Sequence, residues 1–129
     1  MSVRSTTLSN GFRVVSDQMP HVETVTIGTW VDVGSRFEAE NENGLSHMLE
    51  HMAFKGTNRR SALDIAEEIE NVGGYLNAYT SREHTTYYAR LLKEDLKLGV
   101  DMLGDILRHS TFNLDGLERE RGVIIQEIG

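Results

Sequence analysis

The chain has 129 residues, 39% hydrophobic and 26% charged, the proportions of a soluble globular protein with apolar side chain enough for one core. Its net charge of −7 supplies no basic stripe to neutralise phosphates, which excludes nucleic acid as a natural partner and mildly favours basic peptides. There is no cysteine, so no disulfide framework or thiolate site exists, and any metal must be held by histidine and carboxylate.

Arg4 to Leu8 and Phe12 to Val15, joined through Ser9-Asn10-Gly11, predict a β-hairpin with Asn10-Gly11 as its turn. Asp17 to His21 is a connection holding the single proline, Pro20. Val22 to Val33 is β-rich and alternates, Val22, Val25, Ile27, Thr29, Val31 and Val33 standing against smaller or polar neighbours, and reads as a long central strand. Trp30 within it is expected in the core. The polar, acidic Gly34 to Asn43 is a loop leading into a helix. Ser61 with Asp64 is a capping-box signature for a second helix, whose buried stripe is Ile65, Ala66, Ile69 and Val72, stopped by Gly73-Gly74. Tyr75 to Thr80 and His84 to Leu92 predict two strands around Ser81-Arg82-Glu83. Leu96, Gly99, Val100, Leu103, Ile106 and Leu107 mark a third helix, and a last one runs from Asn113 through Leu117, Val123, Ile124 and Ile128. Helices and strands do not alternate strictly, so the expected class is α+β with a mainly antiparallel sheet and helices packed on one face. A single domain over residues 1–129 is expected. No apolar run approaches the ~18 residues of a membrane-spanning helix. No apolar h-region follows Met1-Ser2-Val3-Arg4, and the expected location is the cytoplasm.

Chemistry concentrates in Gly44 to Phe54. Leu45, Met48, Leu49, Met52 and Ala53 recur at helical spacing, with Asn43 or Gly44 as N-cap. His47 and His51 fall on the opposite side, ~40° apart on a helical wheel, with Glu50 beside them. Two imidazoles one turn apart can hold one zinc ion, and a neighbouring carboxylate can then act on water at the metal. This His-x-x-Glu-His order is the zinc-hydrolase motif read backwards. A solvated helix face is the bland alternative, and a third ligand decides between them. Glu120 and Glu127 in the last helix lie at i, i+7 on one face, about 10 Å apart along the axis. That is too far for both to reach one ion. One of the two completes a His2Glu set, and the other can at most support a ligand from behind.

His47-Met48-Leu49-Glu50-His51, Phe54-Lys55-Gly56-Thr57, Asn77-Ala78-Tyr79-Thr80-Ser81-Arg82-Glu83-His84-Thr85, Glu120 and Val123-Ile124-Ile125-Gln126-Glu127-Ile128 together resemble the inverted-motif zinc peptidases. That is the pitrilysin, insulysin and mitochondrial processing peptidase family, and the bacterial processing-protease-like branch is most similar. The resemblance extends from Thr7 onward. It implies one Zn2+ per chain on His47, His51 and Glu127, with Glu50 as catalytic base and Glu120 supporting a ligand histidine. Asn77 and Ala78 match the edge-strand positions where substrate backbone pairs as an added strand. The implied activity is zinc-dependent endopeptidase action on extended peptides or protein presequences. Family members are several times longer, so the chain is expected to be an N-terminal metal-binding portion. Its missing C-terminal half or a partner subunit would complete the substrate chamber, leaving the piece weak or inactive by itself and prone to self-association. The alternative is a non-catalytic scaffold or presequence-recognition subunit of the same fold; the intact His47, Glu50, His51 and Glu127 favour the enzyme.

The remaining candidates have structural readings. His21 is a solvated loop side chain, His84 a hydrogen-bonding residue, and His109 a partner of a helix dipole. Arg59-Arg60 and Arg119-Arg121 read as solvated charge clusters. Met48 and Met52 fill core.

Overall fold

The computed structural model describes residues 2–128. Strands β1 (Val3–Thr7) and β2 (Arg13–Asp17) pair antiparallel as a hairpin, with Val3 opposite Asp17 and Thr7 opposite Arg13. The Phe12 N–H donates to Asn10 Oδ1 at 3.0 Å inside its turn. Strands β3 (Thr24–Val31), β4 (Tyr75–Thr80) and β5 (Thr85–Leu92) form a second antiparallel sheet in the order β3-β5-β4. The expected α+β class, with its antiparallel sheets, is what the structure has.

Register explains which side chains are buried. Val25 sits opposite Leu91, Ile27 opposite Ala89, Leu76 opposite Ala89 and Ala78 opposite Tyr87, so all point to one face. Helices α2 (Ala62–Asn71) and α3 (Leu96–His109) cover that face. Ile65, Ile69, Met102, Leu103 and Ile106 join Ala53, Ala78, Tyr87, Ala89 and Leu91 in one buried cluster. The approach of α3 is close at Gly99. A Cβ there would lie 2.5 Å from Leu91 Cδ1 and 2.7 Å from Ile27 Cδ1, so the side chain is absent where the sheet needs the space. The Ser61 hydroxyl accepts from the Asp64 N–H while Asp64 accepts from the Ser61 N–H, both at 3.0 Å, which starts α2 as the sequence predicts. Its end is closed by the N–H groups of Gly73 and Gly74 donating to the Glu70 and Ile69 carbonyls.

Several expectations are corrected. Val22 to Val33 is not central: β3 is an edge of its sheet, and β5 takes the middle. Its alternation marks one buried face, which an edge strand has as readily as a central one. Trp30 is not core; it is 64% exposed and lies on the outer face, its indole spread along Gly28. Ala66 is exposed in α2, as are Leu96 and Val100 in α3, whereas Met102 and Asp105 are buried. The face of α3 against the sheet is therefore rotated from the one its leucines suggested.

Arg60 is also not solvated. Its guanidinium is 9% exposed and donates from Nε to Glu68 at 2.8 Å, from Nη2 to Asp101 at 2.7 Å and from Nη1 to Asp105 at 2.8 Å. Asp105, whose side chain is 0% exposed, accepts in addition from the Thr57 hydroxyl at 2.7 Å, and Arg59 Nε stands 3.5 Å from its other oxygen. Burial pushes the Asp105 carboxyl up, but Thr57 and the two guanidiniums outweigh it and hold it below the ordinary aspartate range. This network ties the turn at Thr57 to Arg60 onto α3.

Candidate metal centre

Helix α1 (Leu45–Met52) carries the inverted motif. Gly44 is its N-cap, at φ +90°, which removes Asn43 from that role. A glycine has no capping side chain, and Glu38 takes the task from upstream. Its two carboxylate oxygens accept from the Gly44 and Ser46 N–H groups at 2.8 and 2.6 Å. Burial pushes the Glu38 carboxyl up, but these bonds win and hold it below the usual value. Met52 and Ala53 are buried by the helix's apolar side, while Leu45 and Leu49 remain exposed.

Helix α4 (Leu114–Ile128) packs against α1 and brings its glutamates to the histidines. His47 Nε2 and His51 Nε2 are 3.0 Å apart. Glu127 Oε2 lies 3.0 Å from the first and 3.3 Å from the second. Tetrahedral zinc with Zn–N and Zn–O bonds of ~2.0–2.1 Å spaces its ligands ~3.3 Å apart. Three donor atoms at this mutual spacing fit one such ion. Among the described residues, His47, His51 and Glu127 are the group whose donors could share a metal. The nitrogen geometry agrees: His51 Nδ1 is bonded to Glu120 Oε2 at 2.9 Å, which leaves Nε2 as the nitrogen that faces the other donors.

The two glutamates predicted on one face of α4 have different surroundings. The Glu127 side chain is 48% exposed and open to a ligand. Glu120 is 8% exposed and fully engaged, with His51 on one oxygen and Lys55 Nζ 2.8 Å from the other. The Lys55 ammonium first, against burial and with help from His51, holds the Glu120 carboxyl below the usual range. Sequence reasoning passed over Lys55. Its place one turn beyond His51 was the available signal.

Glu50 points to the sheet. The Thr80 hydroxyl, at the end of β4, donates to Glu50 Oε2 at 2.6 Å. Tyr87 stands nearby, its phenol pushed up by burial and then by the Glu50 charge. Nothing in the local sequence of Thr80 announces a partner thirty residues upstream. Asn77 and Ala78 lie on β4, an edge of the sheet. The Ser81 N–H donates to the His84 carbonyl at 2.8 Å, so by alternation along the ladder Ala78 turns its backbone N–H and C=O outward. Asn77 Oδ1 accepts that outward N–H at 2.8 Å. His84 precedes β5 and stacks edge-on against Tyr79, while His21 and His109 are exposed, all apart from the cluster. An apolar cleft of about 390 Å³ between β3, α1 and α3 contains none of the donors.

This is an α+β domain built on an inverted His-x-x-Glu-His helix. Residues 13–129 match the family described as Insulinase (Peptidase family M16). The chain belongs to that family, as the motifs indicated. It is 54% identical over 125 residues to the mitochondrial-processing peptidase subunit beta of Bos taurus, covering 97% of this chain and 25% of that protein. It is 51% identical over 125 residues to a probable mitochondrial-processing peptidase subunit beta of Arabidopsis thaliana, covering 97% of this chain and 24% of that one. The crystal structure of a protease from Helicobacter pylori superposes with a TM-score of 0.90 at 29% identity, over 97% of this chain and 30% of that one. The chain thus spans about a quarter of the length of the curated relatives it matches.

Proposed function

We propose that the chain carries the zinc centre of an endopeptidase that cleaves extended peptides or protein presequences. It would be the N-terminal, metal-binding portion of that enzyme, completed by downstream chain or a partner subunit. The observation that carries this reading is the convergence of His47, His51 and Glu127 donors at zinc-ligand spacing. Zinc bound there supplies Lewis acidity, polarising a scissile carbonyl and making water easier to deprotonate.

The chain's own residues do the rest. Glu50 accepts the proton of the attacking water and returns it to the leaving amine. Thr80 holds the Glu50 carboxylate toward β4, where substrate arrives. An extended peptide adds to the free edge of β4, its carbonyl taking the Ala78 N–H once the Asn77 amide swings aside. Main-chain pairing of this kind binds with little demand on side chains, which suits processing of varied sequences. A non-catalytic subunit of the same fold has no use for Glu50 beside a complete donor set.

The test is Glu50→Gln in the complete peptidase, with zinc content and peptide hydrolysis measured together. Zinc should stay while hydrolysis falls by ~10²-fold or more, the scale of lost general-base catalysis. Hydrolysis at the wild-type rate would overturn the assignment.

A further inference from the structure

The two α4 glutamates are both carboxylates on the face turned to α1, yet Glu120 is enclosed between His51 and Lys55 while Glu127 is half exposed beside both histidines. We propose that Lys55 is a positioning residue of the metal centre, holding the Glu120 carboxylate on His51 and away from the ion. The proposal rests on the zinc reading above and deepens it.

The geometry has three parts. First, Glu120 is nearly enclosed, so water does not fix its orientation, and a carboxylate with one partner can pivot about its last bond. Lys55 Nζ on Oε1 at 2.8 Å and His51 Nδ1 on Oε2 at 2.9 Å hold it at both ends. With Oε2 fixed on Nδ1, the His51 ring has one orientation, and its Nε2 stays directed at His47 and Glu127. Second, Glu120 is the only acid paired with Lys55 among the described residues, whereas Glu127 is paired with the two histidines and no lysine or arginine. A dication at the three donors attracts both carboxylates; the ammonium pulls Glu120 back and leaves Glu127 to ligate. Third, the lysine is carried by an anchored backbone. Its N–H donates to the Met52 carbonyl at 3.2 Å. The chain then enters the turn whose Thr57 N–H donates to the Arg60 carbonyl at 2.7 Å and whose Gly56 bridges to Ser61. Arg60 locks that turn to α3. Lys55 thus stands on an anchored backbone, and its side chain, 42% exposed, ends on Glu120 behind the site.

The experiment measures zinc affinity by chelator competition on purified wild type, Lys55→Met, Lys55→Arg and His47→Ala, with the His51 ring-nitrogen NMR shifts read on the first three. Lys55→Met should weaken zinc by ~10-fold, the lower end for loss of a partner behind a ligand. It should also move the His51 signals from a single Nδ1-protonated form to an averaged one. Lys55→Arg, which keeps the charge, should recover most of both. A purely structural lysine would lower the melting temperature of the metal-free chain without moving the His51 signals. Zinc affinity and His51 signals unchanged in Lys55→Met, while His47→Ala loses zinc, overturns the role of Lys55 alone. Unchanged affinity in His47→Ala overturns the metal centre and this proposal with it.

Discussion

Replacing Arg60 by methionine tests how the fold supports the site, because Asp105 would lose its main countercharge while remaining in the core. The Asp105 side chain is 0% exposed, and Arg60 Nη1 at 2.8 Å is its shortest charged contact. Breaking a buried pair by removing one partner costs roughly 3–5 kcal/mol. Two features move the expected value to the low end. Thr57 still donates to Asp105 at 2.7 Å, and Arg59 Nε stays 3.5 Å away. The other two partners, Asp101 and Glu68, are partly exposed, and losing those pairs adds at most ~1 kcal/mol each. The sum is about 3–5 kcal/mol, or roughly 10–20 °C in melting temperature for a domain of this size. Urea unfolding of the metal-free chain reads it directly. Arg60→Met combined with Asp105→Leu should be more stable than Arg60→Met alone, since no unpaired charge is left buried. A single variant within ~1 kcal/mol of wild type, or a double variant no better than the single, would refute the reasoning.

Thr80→Val keeps the shape of the side chain and removes its bond to Glu50. Zinc content should not change, while peptide hydrolysis by the complete peptidase should fall by about 10-fold, equivalent to ~1.4 kcal/mol, the low end for a bond to a charged group. Rates equal to wild type would remove Thr80 from the account. For acid stability, Asp101 is held below the ordinary 3.8 by Arg60 first and then Arg59, and Glu38 is held below 4.5 despite burial by the Ser46 and Gly44 N–H groups. A carboxyl depressed in the folded state stabilises it above the unfolded value, and that contribution is lost as pH falls through the folded one. The urea midpoint should therefore hold to about pH 5 and drop below about pH 4, with a shallower drop in Glu38→Gln. A midpoint constant down to about pH 3 would contradict this.

Much of this structure can be read from short-range signals. The Asn10-Gly11 turn, the Ser61-Asp64 capping box, the glycine stop after α2 and the two Tyr/Thr-rich strands each act over a few residues, and each is found where the sequence puts it. The edge position of β3 is not legible, because alternation reports a buried face and says nothing of how many neighbours a strand has. Trp30 alternates with Val31, so it faces outward although a strand tryptophan is expected in the core. Arg60 and Asp105 needed tertiary knowledge, since a paired buried guanidinium looks like a solvated one until its acids are placed. The same holds at the site. His47, Glu50 and His51 share one helix and are visible as a pattern; spacing in the last helix offers Glu120 and Glu127, and the family resemblance chooses between them. Lys55 and Thr80 act across elements, on side chains from α4 and α1 respectively; Lys55 has only its spacing from His51 as a mark, and Thr80 has none.

The central claim is that two histidines of α1 and one glutamate of α4 hold a metal ion, and metal content per chain tests it most directly. Purified wild type and Glu127→Ala would be dialysed briefly and analysed for zinc side by side. The account predicts about one zinc per wild-type chain and a clear loss in the variant, since a three-residue set loses one ligand in four positions. No zinc in the wild type, or equal zinc in both, would contradict it.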